Sequence, residues 1–251
     1  EAFPGLDLDA EFAAPLHHDY RLQATSRFRG AGKDGRDLGP YPFESNVYFV
    51  GPQGDDAADG LAVSHAWKSI ARAATALKPG DTLYLLPGTH GGGEWSFRGT
   101  AERPIRIASR GAQPAIVRGA VTLKDCTGLR LERVAFEAPV AMAGGRGISF
   151  HNGNMPALSA QKVDGLSLAH LTVAGSCTGP LLELSGCKAA VLAGNRFENS
   201  QGPAVQLDRA AALLHAADNV CANPAGAWVV GGTAQDAPSP AVAFSGDGHP
   251  V

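Results

Sequence analysis

Lys188, Arg209 and Glu183 bring a basic amine, a guanidinium and a carboxylate into one stretch of the chain. Lys188 and Arg209 form a candidate catalytic pair one repeat apart, with Glu183 near them, provided that geometry brings a base within reach of its proton. A second set could bind rather than react. Residues 98 to 133 hold Arg98, Arg103, Arg106, Arg110, Arg118, Lys124, Arg130 and Arg133 against Glu102, Asp125 and Glu132. Such a run is either a series of solvated outward positions or a docking stripe for a polyanion. Arg106 and Arg130 are its candidate carbohydrate-binding residues. Arg146 and His151, further along, join them.

Other chemistries find no residues to carry them. The chain has no Ser/His/Asp constellation, no phosphate-binding loop and no pair of stacked aspartates for glycoside hydrolysis. Asp55, Asp56 and Asp59 lack the spacing and closing glutamate of an EF-hand and read as a polar turn. His17, His18 and His65 stand apart from plausible partners, and no CxxC pair offers a zinc site.

These residues must be positioned by a chain of 251 residues with 32 glycines, 17 prolines, 18% charged and 7% aromatic residues. That profile gives many turns and little long helix. No run of eighteen apolar residues could span a membrane. A formal net charge of -3 argues against a nucleic-acid partner.

The second half repeats itself. Gly128 to Phe136 recurs as Gly165 to Val173, as Ala189 to Phe197 and loosely as Leu213 to Cys221; the step from Val173 to Phe197 equals the step from Phe197 to Cys221. Between these segments runs a second alternation, Leu182 and Leu184, Val205 and Leu207, then Val229 by way of Trp228. Period-two alternation means strands with one buried face, and a fixed period of short strands means stacked coils. The fold class is all-β, a parallel β-helix solenoid. Asn195 and Asn219, and likewise Asn199 and Asn223, fall at matching points and could stack as amide ladders. The interval from Leu129 to Leu166 is longer than that repeat by about half, so Gly144 to Gly147 and His151 to Pro156 read as an inserted loop.

Cys126 and Cys187 occupy equivalent turns with the coil of Val163 between them, about 9 to 10 Å apart at ordinary strand spacing, beyond a disulfide's reach. Cys221 takes an inward position and Cys177 has no equivalent partner, so four free thiols are expected.

A solenoid must cover its ends. Residues 66 to 78 place Trp67, Ile70, Ala74 and Leu77 on one face, with Pro79-Gly80 ending the run, which predicts an amphipathic helix capping the first coil.

Val47 to Asp55, Trp67-Lys68-Ser69-Ile70 and Lys78 to His90 together resemble the opening of many secreted right-handed parallel β-helix proteins, over residues 46 to 95. The resemblance implies a right-handed coil in a secreted, extracellular or periplasmic protein. Gly194 to Gly202 is similar to a turn signature of the chondroitinase-B-like lyases of alginate and chondroitin. Such lyases cleave uronate polysaccharides by β-elimination: carboxylate-held calcium neutralises the uronate, a lysine removes the C5 proton and an arginine on the next coil assists. Matched residue by residue, the lysine position falls at Gly186 and the arginine position at Leu207, so the chain departs from the family at both; Lys188 and Arg209 lie a little further on. The resemblance therefore implies association with acidic polysaccharide, binding ahead of cleavage. It would bring calcium as cofactor with Glu183 as candidate ligand.

Residues 1–45 form an extended leading segment ahead of a β-helix domain at 46–251. Asp19 to Ser26, Gly30-Ala31-Gly32 and Asp37 to Tyr41 resemble the piece with which such proteins usually finish. A fragment of a tandem protein, a circular permutation, or a cap lent to a neighbouring chain would each place it first. The last makes identical subunits the partner, because a head-to-tail contact that does not close propagates into a fibre. A structural extracellular protein is thus the alternative to a polysaccharide-associated one.

Overall fold

Alternation of apolar and polar residues decides the architecture. In the computed structural model, Ile105–Ser109, the end of Ala115–Glu132, the end of Val140–His151, Asp164–Ala169, Ala190–Ala193 and Leu213–Ala217 pair parallel, each with the next coil's strand. Val47–Val50 and Thr82–Leu85 begin the same stack. The structure describes residues 46–175, 179–199, 202–208, 210–221 and 228–230, with 7–14, 19–23, 26–28, 31–32 and 38 of the leading segment. The result is one parallel sheet curled through successive coils around an apolar interior.

Register turns the alternation into columns. Leu83, Ile107, Leu131, Phe150, Leu168, Leu192 and Ala216 are successive partners, all buried. A second column runs through Val173, Phe197 and Cys221, so their even spacing in the sequence is a true register. The alternation near the end is displaced by one position from expectation: Val205 pairs with Trp228 and Leu207 with Val230, leaving Val229 opposite Gln206.

The expected insertion is absent. Leu129, Ile148 and Leu166 are consecutive register partners, so the interval holds two short coils, one from Leu129 to Ile148 and one from Ile148 to Leu166. Val140–His151 stays paired with the preceding coil through Gly145 and Arg146. Gly144, Gly145 and Gly147 have φ of 72°, 117° and 62°, and a Cβ on Gly145 would meet the Cys126 carbonyl at 2.4 Å. These glycines turn a tight corner and are not a loop. The coils that follow are the longer ones, because the chain takes extra residues between Val173 and Leu182 before rejoining the stack.

Corners follow one rule. Arg133, Asn152, His170, Gly194 and Asp218 all have φ between 53° and 62°. The first four each donate their N–H to the carbonyl before the next coil's corner, at 2.9 to 3.1 Å. The ladder bond offsets the left-handed backbone cost for the non-glycine members.

The helix is shorter than expected, Ile70–Ala76, because Ser69 caps it through Oγ, which accepts from Arg72 N, and Asp56 accepts from the N–H groups of Lys68 and Ser69. Trp67 is buried but extended, bridged to Val50. Asp55 and Asp59 each accept a nearby backbone N–H, from Ala57 and Leu61 respectively, so the acidic trio is a set of turn caps. In the leading segment, Phe12–Ala14 and Asp19–Leu22 form a separate antiparallel pair.

Asn195 and Asn219 do stack, inside the core. Asn195 Nδ2 donates to Asn219 Oδ1 at 2.9 Å, and both residues are 1% exposed. Asn223 lies outside the described residues. Cys126 and Cys187 are free thiols, separated by two coils, those of Gly145 and Val163, rather than one. Cys177 lies outside the described residues.

Candidate functional site

Three strands carry the site. In Leu129 to Glu132 and Ile148 to His151 one set of residues is buried and the alternate set faces out, while in Ile105–Ser109 only Arg106 stays partly exposed. The outward row runs Thr82, Arg106, Arg130, Ser149 and Ser167, one residue per coil in steps of about 4.8 Å. A second row places Tyr84, Ala108, Glu132, His151 and Ala169 beside it.

Arg106 and Arg130 are direct partners, a repulsive arrangement by itself. Glu132 resolves it. Arg106 Nε donates to Glu132 Oε2 at 2.8 Å with Nη2 on the same oxygen, and Arg130 Nε ion-pairs with Oε1. Burial pushes the Glu132 carboxyl up, but the hydrogen bonds and charges of Arg106 and Arg130 outweigh it and hold it below the usual carboxylate range. Arg106 Nη1 also donates to Tyr84 Oη at 3.4 Å. Tyr84 stacks on Phe49 at 6.0 Å and lies under Arg106, so both of its ring faces are occupied.

His151 is the register partner of Glu132. Burial, then the Arg130 charge, lowers its pKa from the ordinary 6.5; Glu132 opposes and His170 adds to the lowering. Two guanidiniums share one carboxylate, so this patch keeps a positive charge. Such a patch can bind an anionic group.

The remaining candidates lie elsewhere. Arg146 is level with Thr127 and pairs with Asp164 at 3.3 Å. Lys188 is exposed beyond the Gly186 corner, bridged to Asp164. Glu183 is exposed between Ser159 and Gln206 on a different strand. Arg209, like His17 and His18, lies outside the described residues. The bond from Ala212 N to Cys187 O brings Ala212 level with Lys188. Among the described residues, no group of three or more His, Cys, Asp or Glu could hold a metal ion, Glu183 included.

The basic run spreads over several faces. Arg118 pairs with Glu137 and Lys124 with Glu94, while Arg133 donates to the carbonyls of Gly111 and Ala112. Trp67 and Trp95 are buried and present no stacking platform for a sugar. Sequence reasoning missed Glu132 as the organiser; the signal was an acid among arginines, on the same strand face as Arg130.

No protein-family model matches the chain, and no curated protein matches it. Among solved structures, a GH136 lacto-N-biosidase from Eubacterium ramulus is similar at a TM-score of 0.56 and 14% identity, over 71% of this chain and 45% of that one. The chain thus spans less than half of that enzyme. A pectate lyase superposes at 0.46 with 15% identity over 69% of this chain and 62% of that one. A rhamnogalacturonan lyase does so at 0.42 with 11% identity over 80% and 66%. All three neighbours are parallel β-helix proteins. Among the described residues no helix is long and apolar enough to cross a membrane.

Proposed function

We propose that the chain is a secreted, extracellular or periplasmic right-handed parallel β-helix protein that binds acidic polysaccharide along the outer face of Arg106, Arg130 and His151. In this reading residues 1–45 are a leading segment, 46–251 the β-helix domain, and Ile70–Ala76 the cap of the first coil. The carrying observation is the in-register pair Arg106 and Arg130 sharing the single carboxylate of Glu132. The row of Thr82, Ser149 and Ser167 hydroxyls continues it along the coil axis, as a linear polymer would require. The fold likeness to a lacto-N-biosidase, by name a carbohydrate-active enzyme, supports association with carbohydrate.

Binding ranks above cleavage because Lys188 and Glu183 do not join this face. Affinity electrophoresis through gels containing polygalacturonate, alginate or neutral dextran tests the reading. Retardation by the acidic polymers alone, lost in Arg106→Ala/Arg130→Ala, is expected; equal mobility in all three gels would sink it. A calcium-dependent release of unsaturated uronate, abolished by Lys188→Ala, would instead restore the lyase reading.

Head-to-tail assembly is the second reading. It is favoured by the antiparallel pairing of Phe12–Ala14 with Asp19–Leu22, which takes those strands outside the coil's parallel stack. Negative-stain microscopy across a concentration series should show filaments in that case, and dispersed particles throughout would remove it.

A further inference from the structure

We propose that His151 makes the anion site acid-strengthened: a proton on its imidazole places a second positive charge beside Arg130 and tightens the hold on a carboxylate or sulfate group of the glycan. This rests on the polysaccharide-binding reading. His151 lies on the coil after Arg130, in register with Glu132 and on the same strand face as Ser149, the partner of Arg130. It is half-buried on the second row, so it borders the patch without being sealed from it.

The charged groups facing it can be named. From the preceding coil these are Arg130 and Glu132, with Arg133 at the corner donating its N–H to the His151 carbonyl. From the following coil, Asp164–Ala169 presents Ser167 and Ala169 beside it, and His170 stands at that strand's corner. In the empty site, burial and the Arg130 charge disfavour a proton on the imidazole. An anion seated on Arg130 cancels that repulsion and replaces it with attraction. By linkage, the factor by which the anion favours the proton is the factor by which the proton favours the anion.

Calorimetry with trigalacturonate as carboxylate probe, a sulfated carrageenan oligosaccharide as sulfate probe and maltotriose as neutral control tests this at about pH 5.5 and about pH 7.5. Wild type should bind an anionic probe about three- to tenfold tighter at the lower pH, the order expected for one added charge near a solvated anion. His151→Gln should lose most of the gain, whatever its affinity at the higher pH, while His170→Gln keeps it. Repeating the wild-type titration in buffers of different ionisation enthalpy reads proton uptake directly, without any variant. Tightening with one anionic probe identifies the group preferred. Equal affinity at both pH values, no proton uptake, or an undiminished gain in His151→Gln overturns the inference alone. Failure of every anionic probe at both pH values overturns the binding reading, and the inference with it.

Discussion

Arg106 and Arg130 stand directly opposite one another in adjacent parallel strands, and one carboxylate, that of Glu132, reaches both. Replacing it by Glu132→Gln preserves the side chain's shape and leaves the two cations facing each other. The variant should lose about 1 to 2 kcal/mol, kept small because the guanidiniums are 37% and 49% exposed. Salt screening should return part of that loss. Urea midpoints at low and high salt check this; an unchanged midpoint at low salt would show that the opposition costs nothing.

His90 points to an acid limit on stability. It is 3% exposed, donates from Nε2 to the Leu86 carbonyl at 2.8 Å, and has no partner for its buried Nδ1. Burial lowers its pKa from 6.5, with the Leu86 bond opposing. Below pH 6.5 the unfolded chain therefore takes up a proton that the folded chain resists. Stability from this group is full above 6.5 and falls as pH drops toward the folded value. His90→Leu should flatten that slope, whatever it does to stability at neutral pH. Parallel urea titrations of both proteins through this window would refute the assignment if the slopes match.

The parallel coil was legible because burial imposes period-two alternation on every strand, as in Leu166 and Leu168 above Leu192. Coil length was not, since a corner can take extra residues without disturbing the register on either side. Arg106 and Arg130 were legible as partners because their separation in the sequence equals the repeat set by Val173, Phe197 and Cys221. Glu132 and His151 were not, because the coil between them is shorter than that repeat. Trp67 and Ile70 mimic helical spacing, yet the Asp56 carboxylate starts the helix later, a tertiary contact that local periodicity does not carry.

Ala189 offers a test of the corners. Its φ is 51°, in line with Gly128 at 50° and Gly165 at 71° on earlier coils, and its side chain is exposed. Left-handed backbone costs a residue with Cβ about 1 to 2 kcal/mol, against about 0.4 to 1 kcal/mol of extra unfolded-chain entropy for glycine. Ala189→Gly should therefore stabilise the chain by roughly 0.5 to 1 kcal/mol. Ala189→Val should destabilise it, because a β-branched residue is least tolerant of that conformation. A higher thermal midpoint for the valine variant than for the glycine variant would contradict the corner geometry.

Asn195 ties three successive coils together through polar atoms. Its Oδ1 accepts from Leu171 N at 3.0 Å, its Nδ2 donates to the Leu168 carbonyl and Asn219 Oδ1 at 2.9 Å each, and Asn219 Nδ2 continues to the Leu192 carbonyl at 2.8 Å. Because these groups are buried, Asn195→Ala removes bonds and strands their partners away from water. The loss should be about 2 to 4 kcal/mol, within the range of a broken buried network. Asn195→Leu, which imitates Leu171 on the previous coil, should restore packing yet not stability, since the Leu171 N–H still lacks its acceptor. A double-mutant cycle with Asn219→Ala should give a coupling of about 1 kcal/mol or more. Full recovery in Asn195→Leu would mean that volume, and not the amide ladder, holds this part of the coil.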